Sequence, residues 1–90
     1  MVNTPRPLVA GNWKMNGITG SLREARAIAS RVKALEPLLC DVAIFPPFTL
    51  IAALATEFSG SSIRTGGQDC HANQSGAYTG DVSAEMIADL

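Results

Sequence analysis

Apolar positions along this chain form short runs that alternate with stripes at helical spacing. Leu8 to Asn12 reads as a strand that stops on a polar residue, with Lys14 two positions further on. After an Asn16-Gly17 turn, Leu22, Ala25, Ile28, Ala29, Val32 and Leu35 recur at helical spacing, and Arg23, Arg26, Arg31 and Lys33 take the other sides. That pattern predicts a helix with one buried stripe and one wet face. Ser21 is placed to cap it, Glu24 to close a capping box, and Pro37 to end it. Val42 to Phe45 is wholly apolar, as expected of a strand covered on both faces of a parallel sheet. Pro46-Pro47 blocks its continuation and leads into a second helix, from about Thr49 to Phe58, with Leu50, Ile51, Leu54 and Phe58 inward. A turn at Ser59-Gly60-Ser61-Ser62 precedes a third strand from Ile63 to about Gln68. There Gly66-Gly67 marks a bulge or a close backbone approach. A polar loop from Asp69 to about Asp81 then leads to Ser83, which caps a helix carrying Met86, Ile87 and Leu90 inward.

Strand, helix, strand, helix, strand, helix with short connections demands a parallel sheet, either doubly wound or closed into a barrel. The pattern does not choose between them. The chain stops at Asp89-Leu90 in an apolar-faced helix without a capping glycine or polar tail, which is expected of a piece of a larger domain. Ninety residues at 47% apolar content build only a modest core. Seven basic against eight acidic residues, with both signs scattered, write neither a nucleic-acid patch nor a membrane-surface patch into the chain. A small-molecule partner fits better. Cys40 and Cys70 have no spacing that suggests a disulfide framework or zinc site, and reduced, mostly buried thiols are expected. The start, Met1 to Pro7, has no apolar signal core, and no apolar stretch approaches the roughly 20 residues that span a bilayer. The cytoplasm is therefore the expected location, where the Asn73-Gln74-Ser75 glycosylation pattern is irrelevant.

The candidate chemistry sits at the end of the first strand. Ligands of parallel α/β folds bind at the carboxyl ends of strands, so an amide and an ammonium there predict an anion site. If the extended conformation persists, Asn12 and Lys14 point the same way and Trp13 points oppositely, into packing. The plain alternative is a strand followed by a polar turn. His71 invites a catalytic role with Asp69 and Ser75, or a metal role with Cys70, but near neighbours in sequence seldom present such geometry. A solvated loop histidine is expected.

Four blocks then carry a resemblance: Gly11-Asn12-Trp13-Lys14-Met15-Asn16, Phe45-Pro46-Pro47-Phe48, Gln68-Asp69, and Gly76 through Met86. In order and spacing they resemble the triosephosphate isomerase family, over nearly the whole chain. The resemblance implies the first three βα units of an eight-stranded (β/α)8 TIM barrel, so that residues 1–90 form an incomplete barrel domain. It implies interconversion of dihydroxyacetone phosphate and glyceraldehyde 3-phosphate through an enediolate, with no cofactor and no metal. The family's neutral histidine electrophile, glutamate base and closing loop would lie beyond Leu90, which leaves this segment alone inactive.

Onto this chain the resemblance carries Lys14 as a catalytic and substrate-binding residue and Asn12 as a substrate-binding residue. It also implies a homodimer, in which the loop from Gly76 through Ala77, Tyr78 and Thr79 to Gly80 reaches a second copy. Thr79 at its tip would pack against the partner's Met15. Tyr78 departs slightly from the family's usual aromatic. Two other readings compete: a free-standing α/β module that binds a phosphorylated metabolite without catalysis, and an open flavodoxin-like domain. The latter lacks a phosphate-cradling glycine loop after the first strand.

Overall fold

The computed structural model describes residues 4–90, so Met1, Val2 and Asn3 of the start read above lie outside the described residues. In chain order the elements are β1 (Leu8–Asn12), a 3-10 turn (Thr19–Ser21), α1 (Leu22–Leu35), β2 (Asp41–Phe45), α2 (Phe48–Glu57), β3 (Ile63–Thr65) and α3 (Ala84–Ala88). The sheet has the order β1-β2-β3, and both pairings are parallel. Its register sets Asn12 beside Phe45 and Ile44 beside Thr65, so the carboxyl ends of all three strands lie together.

Register partners share a face. Val42, Ile44 and Ile63 therefore look toward the helices. Ile44 and Ile63 form the core with Ala25 of α1, Leu50 and Leu54 of α2, and Phe58 just beyond it. Trp13, Leu22, Ile28, Ala29, Val32 and Val42 pack around that centre. On the opposite face Leu8 is 60% exposed, Asn12 and Arg64 are exposed, and Ala43 is buried. The expectation of cover on both faces of β2 thus holds for one layer of helices only. The molecule is a slab of 45 × 41 × 21 Å with a radius of gyration of 14.7 Å, against about 12 Å for a compact domain of this length.

Two polar clamps act, one within the sheet and one within the helical layer. Arg6 donates to the Asp41 carboxylate (3.1 Å) and to the carbonyls of Leu38 (3.1 Å) and Cys40 (2.9 Å), fixing the start of β1 against the start of β2. Arg26 pairs with Glu57 at 2.9 Å, joining α1 to α2. This takes one arginine of the expected wet face into an inter-helix contact, although a pair this exposed contributes about 1 kcal/mol at most.

Several boundaries differ from expectation for local reasons. Ser21 has helical backbone angles and makes no cap; its hydroxyl accepts the Ile18 N–H at 3.0 Å and closes the 3-10 turn. The stripe of α1 is fully buried only at Ala25, and Leu35 is 70% exposed. β3 ends at Thr65 instead of Gln68. The close approach expected at Gly66-Gly67 is real, because a Cβ on Gly67 would lie 2.6 Å from Ile87 Cδ1 and 3.0 Å from the Asp69 carbonyl. Ser83 does cap α3, its hydroxyl accepting the Met86 N–H at 3.2 Å. Of the three residues expected inward, only Ile87 is half-buried, while Met86 and Leu90 are exposed, since nothing packs on the far side of so short a helix. Cys70 is also exposed, in contrast to the buried thiol expected, because it lies in the polar loop; Cys40 is half-buried.

Candidate anion site at the carboxyl end of the first strand

Strand β1 runs one residue past Asn12 in hydrogen bonding, since Trp13 N–H donates to the Phe45 carbonyl at 3.0 Å. The backbone then turns sharply. Lys14 adopts φ +56°, the left-handed region that a side chain with a Cβ enters at a cost of about 1–3 kcal/mol. The extended geometry expected through Lys14 is therefore replaced by a turn, and strand alternation does not align its side chain with that of Asn12. The relation between the two residues is tighter. Asn12 Oδ1 accepts the Lys14 N–H at 2.8 Å, a side-chain-to-backbone turn that asparagine makes readily. Asn12 holds the backbone of Lys14 and not its ammonium group.

Other polar groups complete the turn. Asn16 Nδ2 donates to the Trp13 carbonyl at 2.8 Å. Gln68 Nε2 donates to the Lys14 carbonyl at 2.8 Å and to the Phe45 carbonyl at 2.9 Å. The half-buried Trp13 indole covers Gly17, whose φ of +115° lets the chain reverse toward α1. Lys14 itself is exposed, and among the described residues no carboxylate pairs with it. A cation fixed by its backbone and left without a counter-ion is free to meet an anionic ligand. An open concavity of about 680 Å³ lies elsewhere, lined by Arg6, Glu36, Cys40 and Asp41 at the amino ends of the strands. Conserving stability is the usual role of that end in such folds.

The loop after β3 is built around His71, which is half-buried and not the solvated residue expected. Its N–H donates to the Val82 carbonyl at 2.8 Å, its Nδ1 accepts the Asn73 N–H at 2.9 Å, and its ring stacks on Tyr78 with centroids 3.9 Å apart. Asn73 Nδ2 also donates to the Tyr78 hydroxyl. The histidine is thus a structural pivot, with neither a triad nor a metal cluster around it among the described residues. Gly76 through Gly80 form the exposed end of this loop, turning at Gly76 (φ +144°) and Gly80 (φ +92°). Met15 is 95% exposed, so nothing among the described residues covers it. Gln68 had no role in the sequence reading beyond its place in the Gln68-Asp69 block, because partners 54 and 23 residues away leave no local signal.

A sequential parallel sheet, helices alternating with its strands and a fixed lysine at the carboxyl end of the first, is the construction of the N-terminal βα units of a TIM barrel. Comparison with known protein families matches residues 7–90 to the one described as triosephosphate isomerase. The chain belongs to the triosephosphate isomerase family. Similar proteins include the triosephosphate isomerases of Caulobacter vibrioides, 59% identical over 86 residues, and Afipia carboxidovorans, 54% identical over 84. That of Xanthobacter flavus is 51% identical over 84 residues. These alignments cover 96%, 93% and 93% of this chain and 34%, 33% and 32% of the respective relatives. The chain spans about a third of their length.

Proposed function

We propose that the protein is a triose-phosphate isomerase, interconverting dihydroxyacetone phosphate and D-glyceraldehyde 3-phosphate, and that residues 1–90 are an incomplete barrel domain contributing its anion-holding groups. The observation that carries this reading is the uncompensated Lys14, held at φ +56° at the carboxyl end of β1 in a chain of this family. The substrate is a phosphate dianion whose carbonyl oxygen gains charge as a proton leaves the adjacent carbon. A fixed ammonium acts on both charges, and its effect grows as the oxyanion develops. Asn12 engages the Lys14 N–H through Oδ1, which leaves its Nδ2 hydrogens to donate to a substrate oxygen.

Proton transfer itself needs a base and an electrophile, and in this reading both come from the barrel beyond Leu90. The chemistry requires no cofactor and no metal. The exposed Met15 and the loop from Gly76 through Ala77, Tyr78 and Thr79 to Gly80 are the surfaces through which a homodimer forms, Thr79 of one copy covering Met15 of the other. In this reading neither nucleic acid nor a membrane is a partner, since both charge signs are scattered along the chain. We assign the protein to the cytoplasm. A coupled assay on the complete enzyme tests the site. Lys14→Ala should remove most turnover and raise the Michaelis constant, by at least about 100-fold in kcat/KM for a lost transition-state charge contact. Near-normal parameters in that variant would refute the anion-site assignment.

A further inference from the structure

We propose that Gln68 is a positioning residue for Lys14, acting through the backbone and not through the substrate; the inference rests on the reading that Lys14 meets the substrate anion. Both partners of the Gln68 carboxamide are carbonyls, those of Lys14 at 2.8 Å and Phe45 at 2.9 Å. Only the NH2 edge of the amide can face two acceptors, and its two hydrogens supply one bond to each. The Phe45 carbonyl also accepts the Trp13 N–H at 3.0 Å, using its second lone pair. One side chain from beyond the end of β3 therefore ties the second residue after β1 to the last residue of β2.

This tie falls where the backbone most needs one. Lys14 is the sole non-glycine residue at positive φ among the described residues, and such a conformation persists only when its surroundings over-determine it. Asn12 holds the peptide on the N–H side of Lys14, and Gln68 holds the one on its carbonyl side. With either clamp gone, one flanking peptide plane is free to rotate, and the Cα–Cβ direction that aims the ammonium rotates with it. Gln68 carries no charge of its own to offer a phosphate, so its contribution reaches the reaction by way of Lys14.

The test uses the complete enzyme. Gln68→Met keeps the length of the side chain and removes both donors; Gln68→Asn keeps the amide but is one methylene too short to reach both carbonyls. Gln68→Met should lower kcat/KM by about 10- to 100-fold, the scale of a small misplacement of a reacting group, with a smaller loss in Gln68→Asn. In a Lys14→Met background the same Gln68→Met change should cost less than about twofold, because the group it positions is already gone. Full kcat/KM in Gln68→Met, with only its melting temperature lowered, would make Gln68 a structural residue and overturn the proposal. An undiminished loss in the Lys14→Met background would overturn it too, by separating Gln68 from the lysine. Failure of the underlying anion-site reading shows differently, as unchanged kinetics in Lys14→Met alone.

Discussion

At the scale of single residues, the lysine of the proposed site is held on both sides of its backbone. Its N–H is taken by Asn12, its carbonyl by Gln68, and its ammonium remains exposed. Asn12 and Lys14 were legible in the sequence, as a strand ending in the amide with the lysine close behind, whereas the part played by Gln68 was not. The left-handed turn was not, because strand alternation presumes that extended backbone continues, and one of the two side chains that hold the turn comes from 54 residues away. A fixed turn has a consequence for substitution. Arginine keeps the charge but is longer and presents a planar fork in place of a compact ammonium. With the backbone pinned on both sides, the chain cannot draw back to accommodate it. Lys14→Arg in the complete enzyme should therefore recover less than about a tenth of the kcat/KM lost in Lys14→Ala. Recovery to near the parent value in steady-state kinetics would mean that charge alone suffices and that position is unimportant.

At the scale of elements, helical and strand periodicity located all three βα units, and the deviations have local causes. Pro46-Pro47 ended β2 where expected, and Leu50, Ile51, Leu54 and Phe58 are all buried. α1 starts beside Ser21 as expected, but the cap is absent because the Ser21 hydroxyl accepts the Ile18 N–H and closes a 3-10 turn. β3 is short because Gly66 and Gly67 bring backbone against the Phe45 ring and Ile87. His71 escaped prediction since a stack on Tyr78 and a pairing with the Val82 carbonyl are not periodic features. The element that binds sheet to helices most firmly is α2. Its Leu54 is completely enclosed within this chain, in contact with the core that includes Ile44 and Ile63. Leu54→Ala should destabilise the protein by about 2–5 kcal/mol through lost contacts and a cavity, whereas Leu54→Met, of similar volume, should cost less than about 1.5 kcal/mol. Denaturant titration of both variants measures this, and equal small shifts would mean that α2 is not tightly seated.

At the scale of the molecule, the three strands run parallel with one covered face and one open face, where Leu8 and Arg64 are exposed. Parallel sheets are ordinarily covered on both sides, and the exposed edges of such a sheet recruit further strands. The sequence pattern could not decide between a doubly wound sheet and a barrel, because the first three units of either are strands and helices in the same alternation. Family membership supplies that choice, and the open face accords with a wall of a barrel whose interior other strands would fill. The proposed function divides the labour: residues 1–90 hold the anion through Asn12 and Lys14, and proton transfer resides in the rest of the enzyme. Its most direct test is a coupled isomerase assay on the purified 90-residue chain with either triose phosphate. No turnover above the uncatalysed background is expected, since a positioned cation without a base abstracts no proton. Turnover that Lys14→Ala abolishes would contradict it, by locating the whole reaction within these three units.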